Sequence, residues 1–240
     1  MQVNQLSWMI GGPAGSGINT SSEIFNKACV RAGLWTFSNI EYHSNIMGRH
    51  MFFRVRVSDE PVRSHVEQVD LLLALDSETI FGTDAKQNYQ KHPGHLHHMA
   101  PDSVIIIDAA QPVNQSDIPR EDVRLLALPY DALVKAGVEK ADVTYNARRH
   151  GVMRNMVPVG AACALLGFDV DRVVAIVAEK LPARRQDLVE LNRLILQAGA
   201  DAATAAFTGK FRIAIRPVPR VTPTLMMRGV EAIAVAKLHA

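Results

Sequence analysis

Gly11-Gly12-Pro13-Ala14-Gly15-Ser16-Gly17 follows the apolar run Leu6 to Ile10 and precedes an amphipathic pattern from Ile18 to Ala32. Strand, glycine turn and helix in that order form an anion cradle. Glycines let backbone N–H groups approach a phosphate closely, and the helix N-terminus adds about half a positive charge where the phosphate would sit. Gly12 and Gly17 have the spacing of the two glycines of a Walker A loop, but Ile18-Asn19 stands where that loop carries Lys-Ser/Thr. Without the lysine, nucleotide triphosphate hydrolysis is disfavoured. Gly15 and Gly17 also supply the first two glycines of a dinucleotide fingerprint, with Thr20 at the third position and Glu41 as a candidate ribose acid. That match is partial. A tight strand-to-helix turn that binds nothing is the third possibility for the same residues.

Other groups with chemical potential each have a plainer alternative. His92, His95, His97 and His98 lie in one short stretch with a proline and a glycine. Metal-ligand spacing can be read into them, but a structural site needs about four ligands in closed geometry, and a His-rich surface loop is commoner. Arg148-Arg149-His150 opens or precedes a helix and faces either phosphates, a partner subunit or solvent. Asp76 ends an apolar strand, where open α/β sheets place ligands, and equally suits the N-cap of a helix starting at Ser77. Asn45 and His50 lie on a loop between strands, as ligand contacts or as part of a hydrogen-bonded structural loop. Cys29 and Cys163 are too few to ligate an iron–sulfur cluster and sit in apolar helical patterns, which suits buried free thiols.

Strand-like and helical runs alternate along the chain, the signature of an α/β layered fold. Leu6–Ile10 is the first strand, Ile18–Ala32 the first helix and Leu34–Ser38 the second strand, with Gly33 as the residue that ends the helix. In Met51–Ser58, Arg54 and Arg56 alternate with Phe53, Val55 and Val57, which predicts a strand with one wet face. Val69–Leu75, Val104–Asp108 and Arg124–Leu128 are expected as interior strands. From Ala132 to Phe207 no strand pattern appears, and helical stretches run near Tyr145–Leu166, Val170–Lys180 and Arg184–Phe207. Lys210 to Pro223 contains three prolines and predicts an extended linker; Thr224–Ala240 predicts an apolar helix with little to pack against.

Composition sets outer limits. The chain has 240 residues, 48% hydrophobic and 21% charged, with a net charge of +2. That is enough for one large core, or for one domain plus an appendage, and too little net charge for nucleic acid to be the main partner. No signal segment opens the sequence and no run of roughly 18 apolar residues occurs, so a cytoplasmic chain without a membrane partner is expected.

Several separated segments together resemble one family. The glycine loop, Glu41-Tyr42-His43-Ser44-Asn45-Ile46-Met47-Gly48-Arg49-His50, the strand ending Arg54-Val55-Arg56-Val57-Ser58-Asp59, Val69–Asp76 and Arg154-Asn155-Met156-Val157-Pro158-Val159-Gly160-Ala161 look like the gamma domain of the 2-oxoacid:ferredoxin (acceptor) oxidoreductases. Gly229-Val230-Glu231-Ala232-Ile233-Ala234 resembles the helix that opens the thiamine-pyrimidine domain in the family's fused alpha subunits. One departure is clear: many relatives read Ile-Arg-Gly-Gly-His where this chain has Ile46-Met47-Gly48-Arg49-His50.

The resemblance implies a three-layer α/β/α domain over residues 1–206, with a mixed, mostly parallel sheet and a helical C-terminal third. A linker at 207–223 and the start of a following domain or docking helix at 224–240 would complete the chain. It further implies a component of a complex that decarboxylates a 2-oxoacid such as pyruvate or 2-oxoglutarate on thiamine diphosphate. That complex passes electrons through iron–sulfur clusters to ferredoxin and transfers the acyl group to coenzyme A. Thiamine diphosphate and the clusters would sit on partner subunits or domains, with a homo-oligomer also open, and this chain would carry no catalytic or metal-ligating residue. Its part would be to face coenzyme A through Gly11, Gly12, Gly15, Ser16, Gly17, Asn45, Gly48, Arg49 and His50. A free-standing nucleotide-binding module and a non-catalytic assembly scaffold are the alternatives.

Overall fold

The computed structural model of the chain describes residues 1–42, 50–83, 93–220 and 225–239. Its apolar runs become β2 (Gln5–Pro13), β3 (Trp35–Tyr42), β4 (His50–Ser58), β5 (Val69–Ala74), β6 (Met99–Asp108) and β7 (Val123–Leu128). These form one sheet in the order β3-β4-β2-β5-β6-β7. From β2 through β5 and β6 to β7 the pairing is parallel; β4 runs antiparallel to both β2 and β3. The fold is therefore α/β with a mixed, mostly parallel sheet. β5 and β6 lack polar residues along most of their length because helices, turns and neighbouring strands cover both faces.

One face carries α1 (Ile18–Arg31), α3 (Tyr130–Lys140), α5 (Met156–Leu166), α6 (Val170–Lys180) and α7 (Asp187–Ala206), all packed into the larger core. The other face is covered, among the described residues, by α2 (Ser77–Phe81), the 3-10 turn Leu96–His98 and the segment around Val113 and Ile118. α5 is apolar all round, and nine of its eleven residues are buried, as a helix at the centre of a layer must be. α5 and α7 touch backbone to backbone. A Cβ on Gly160 would fall on the Leu196 carbonyl, and one on Gly199 on the Val157 carbonyl.

α1 ends as expected at Gly33, which sits at φ 86°. The Gly33 N–H reaches the Val30 carbonyl and the Leu34 N–H reaches Cys29, closing the helix with the two bonds that a left-handed C-terminal residue permits. Helix α3 was not anticipated. The stretch expected as one helix over Tyr145–Leu166 is instead α4 (Ala147–His150), a 3-10 turn at Gly151–Met153 and α5. The break places Arg154 and Asn155 on a corner facing the glycine loop.

Three strand-level expectations need correction. Arg54 is not on a wet face: β4 lies inside the sheet, and Glu41 on β3 supplies the counter-ion that lets the guanidinium be buried. Arg124–Leu128 is an edge strand, with the Gln115 amide clamping its outer side by donating to the Val123 carbonyl and accepting from the Leu125 N–H. The third concerns Lys210–Pro223, which is packed as far as it is described.

Phe211, Ile213, Ala214 and Ile215 are buried, and β8 (Ile213–Ala214) pairs in parallel with β1 (Gln2–Val3). Arg212 forms an ion pair with Asp70, whose other carboxylate oxygen accepts the Ser7 N–H at 2.7 Å. Burial pushes the Asp70 carboxyl up, and the Ser7 and Arg212 contacts only partly offset it. Further on, the Val218 N–H donates to the Ala32 carbonyl and Arg220 lies 4.0 Å over the Trp35 ring. Prolines remove ladder donors here without removing the apolar side chains that dock.

The last described element, α8 (Gly229–Leu238), is exposed along its whole length. None of the described helices is long and apolar enough to cross a membrane.

Candidate functional site

The glycine loop emerges from the carboxyl end of β2, at the centre of the sheet, and each glycine has its own reason. Gly11 and Gly12 are packing glycines: a Cβ on Gly11 would meet Phe52 and Thr79 at 2.6 Å, and one on Gly12 would meet Leu75 at 2.8 Å. Gly15 and Gly17 are conformational glycines, at φ 88° and 86°. The Ser16 N–H bonds back to the Pro13 carbonyl at 3.1 Å, and its hydroxyl reaches the same oxygen at 2.6 Å. This curls the chain into a small nest. The space beside Gly15 is open.

Gly17 is the N-cap of α1. No side chain caps the helix and no acidic residue lies in its first turn. The N–H groups of Ile18, Asn19 and Thr20 have no partner within the helix and point outward from its positive end. Asn155, from the corner before α5, donates to the Ser16 carbonyl at 2.6 Å and so braces the loop from the side.

His50 is the described residue of its loop and opens β4 directly across from Pro13. Its Nε2 lies 2.6 Å from Asp76 Oδ2 and its Nδ1 3.2 Å from Glu78 Oε1. Both ring nitrogens therefore face carboxylate oxygens. Asp76 thus combines two roles: it caps α2, accepting from the Thr79 N–H at 3.0 Å and hydroxyl at 2.9 Å, and it holds His50. Burial raises the Asp76 carboxyl, and the bonds from His50 and Thr79 more than offset this, leaving it below the usual carboxylate range. Asn45, Gly48 and Arg49 lie outside the described residues.

One strand further, at the end of β6, Asp108 is buried and accepts the Ala110 N–H at 3.1 Å and the Tyr130 N–H at 3.3 Å. Arg154 forms an ion pair with it, and its Nε lies 3.3 Å from Asp131. Arg154 and Asn155 together brace the crevice from the helical side. Both stand in the quoted Arg154–Ala161 segment, but nothing in one sequence tells that the turn there points them back at residues 16 and 108.

Glu41 is not placed as a ribose acid. β4 separates β3 from β2, and the Glu41 carboxylate is engaged by Arg54 at 2.9 Å. His92 lies outside the described residues; His95 and His98 approach each other, Nδ1 to Nδ1, at 3.1 Å, and Arg54 Nη2 lies 3.4 Å from His98 Nδ1. Among the described residues no group of three or more His, Cys, Asp or Glu is arranged to hold a metal ion. Cys29 and Cys163 are buried free thiols, and burial pushes Cys163 up to about 12. His150 is buried, its Nδ1 accepting the Asn146 N–H at 3.0 Å, while Arg149 reaches Asp187 at 3.4 Å.

Burial first, then Arg54 and His97, depress the His98 pKa to about 4, against 6.5 for the free side chain. The folded protein thus binds a proton there less readily than the unfolded chain. Its contribution is fully present above pH about 6.5 and declines as the pH falls toward 4. His98→Gln is expected to flatten the pH dependence of thermal stability in that window, as measured by melting curves of both proteins from pH 7 to 4; superimposable profiles would contradict the assignment.

A sequence model described as pyruvate ferredoxin/flavodoxin oxidoreductase matches residues 7–202. The 2-oxoacid:ferredoxin oxidoreductase 1 subunit alpha of Sulfurisphaera tokodaii is 26% identical, across 98% of this chain and 39% of its own. The corresponding alpha subunit of Saccharolobus solfataricus is 48% identical over 77 residues, 32% of this chain and 12% of its own. The chain thus spans about two fifths of the Sulfurisphaera relative's length. Among solved structures, a 2-oxoglutarate:ferredoxin oxidoreductase from Magnetococcus marinus, with 2-oxoglutarate, coenzyme A and succinyl-CoA bound, superposes with a TM-score of 0.76 at 19% identity, covering 98% of this chain and 37% of that one. The gamma subunit of a keto/oxoacid ferredoxin oxidoreductase from Geobacter sulfurreducens gives 0.57 at 21% identity, covering 84% of this chain and 99% of that one.

Proposed function

Because the chain belongs to the pyruvate ferredoxin/flavodoxin oxidoreductase family, we propose that it is the gamma component of a 2-oxoacid:ferredoxin (acceptor) oxidoreductase, facing coenzyme A and contributing to assembly. The bare N-terminus of α1 carries this assignment. Gly15 and Gly17 hold a nest open to solvent, no side chain caps it, and no carboxylate in the first turn competes with an incoming phosphate. Coenzyme A presents a pyrophosphate and a 3′-phosphate, the groups such a terminus receives. The Magnetococcus relative, whose fold this chain shares, has coenzyme A bound. Gly15, Ser16 and Gly17 are the proposed contacts, with His50 beside them and Asn45, Gly48 and Arg49 proposed with them; Gly11 and Gly12, buried against Phe52, Thr79 and Leu75, shape the turn from behind instead of touching the ligand.

Oxidative decarboxylation belongs, on this account, to other parts of the complex. The two thiols are buried in separate helices and cannot ligate an iron–sulfur cluster, so this chain's residues do not fit that group. No step on thiamine diphosphate is assigned to them either. Helix α8, with Val230, Ile233 and Leu238 exposed, is assigned to contacts with the thiamine diphosphate-bearing part of the assembly. The dinucleotide alternative loses support because Glu41 is engaged by Arg54.

The purified chain, supplied with pyruvate or 2-oxoglutarate, coenzyme A and a low-potential viologen dye, is expected to reduce no dye while still binding coenzyme A in a calorimeter. Dye reduction that depends on both substrates would overturn the division of labour.

A further inference from the structure

The two edges of the sheet are treated differently. At β7 the Gln115 side chain occupies the outer side, donating to the Val123 carbonyl at 2.9 Å and accepting from the Leu125 N–H at 2.7 Å. β3, the opposite edge, is eight residues long and pairs on one side only, with β4, among the described residues. Its register against β4 runs unbroken from Trp35 to Tyr42. It contains no proline, lysine or arginine, and its one charged residue, Glu41, is engaged by Arg54. Tyr42 at its end is 56% exposed. A long, regular edge without the bulges, prolines and lysines that discourage pairing is a template for another strand.

That edge is complementary to itself. An antiparallel pair formed about a two-fold axis through Ser38 sets Thr36 opposite Ile40 and Phe37 opposite Asn39, each pair on one face of the sheet. Ser38 then meets its own counterpart, a hydroxyl pair that can hydrogen-bond across the strands. Trp35 meets Glu41 of the second copy. Because Arg220 lies 4.0 Å over the Trp35 ring, the incoming carboxylate arrives beside a guanidinium, and no like charges are opposed.

We infer that β3 is a homodimer interface: two copies of this chain pair antiparallel through their β3 edges, joining two six-stranded sheets into one continuous sheet. The occupant is a second copy instead of a foreign strand because the edge supplies its own counter-charge, Arg220 for Glu41. β4 separates β3 from the glycine-loop strand, so the interface does not depend on the coenzyme A assignment.

Sedimentation equilibrium of the full chain over a concentration series is expected to show a monomer–dimer equilibrium. Ser38→Asp still accepts from Asn26, which donates to the Ser38 hydroxyl at 3.2 Å, but places two carboxylates opposite each other on the axis. It is expected to weaken association at least tenfold, since like charges directly opposite destabilise a strand pair. Ser38→Cys tests the register without adding charge. Opposed residues of an antiparallel pair lie roughly 4.5–5.5 Å apart between Cα atoms, within disulfide reach, so mild oxidation should link the two copies. Thr36→Cys, displaced from its counterpart by roughly 14 Å along the strand, should not be linked. Cys29 and Cys163 are buried and do not compete. A chain that stays monomeric throughout, a dimer that survives Ser38→Asp unweakened, or Thr36→Cys cross-linking as readily as Ser38→Cys would each overturn the proposal.

Discussion

Gly160→Val is expected to leave almost no folded protein. Gly160 is buried in α5 at the crossing with α7, and any Cβ there lands on the Leu196 carbonyl of the facing helix. A flexible side chain could swing aside; a backbone carbonyl in the middle of a twenty-residue helix cannot. Gly199 repeats the contact from the other side against the Val157 carbonyl, so the helices cannot slide to relieve the clash without moving a second one into place. Overpacking in a well-packed core costs about 1–3 kcal/mol when side chains can adjust, and a backbone collision should exceed that range. Soluble yield and urea unfolding would measure the effect. A Gly160→Val protein that unfolds at the wild-type urea concentration would show that α5 and α7 do not cross as described.

Arg154→Met should be the next most damaging change. It leaves Asp108 in the interior, supported by two backbone N–H groups but without its counter-charge. Stranding one partner of a buried ion pair costs on the order of 3–5 kcal/mol. The exposed part of Arg154 places the loss toward the lower end. The double variant Arg154→Met with Asp108→Asn should recover much of it, because the amide still accepts from Ala110 and Tyr130 while carrying no charge. Chemical denaturation of the two single variants and the double variant gives the coupling directly. Additive losses would mean that the two side chains do not depend on each other.

Much of the fold was legible because apolar runs and caps are local signals. The Val69–Ala74 strand, the α1 helix and the closing Gly33 follow from patterns contained within a few residues. What escaped depended on partners far away in sequence. Arg54 looks like a solvent-facing residue until Glu41 is brought across from the neighbouring strand. The Lys210–Pro223 stretch looks like a linker, because its prolines are conspicuous and the partners of Ile213 and Ala214, Gln2 and Val3, lie at the other end of the chain. In the candidate site, the glycine loop announces itself through residues that only a turn requires. Asp76 is legible as the residue that ends a strand and caps the helix from Ser77, whereas Asn155 and Arg154 acquire their positions only through the break before α5.

Ser16→Glu, followed by coenzyme A titration of the chain, tests the central claim most directly. Ser16 is exposed immediately before the N-cap of α1, so a carboxylate there suits the helix and should leave its melting temperature within a few degrees of wild type. The same charge would stand beside the phosphate and repel it. Two like charges a few ångströms apart at the protein surface disfavour binding by more than about 1.4 kcal/mol, which is tenfold in affinity. The account predicts coenzyme A binding to the wild type and at least tenfold weaker binding to an equally stable Ser16→Glu protein. Equal affinity in the two proteins would contradict it.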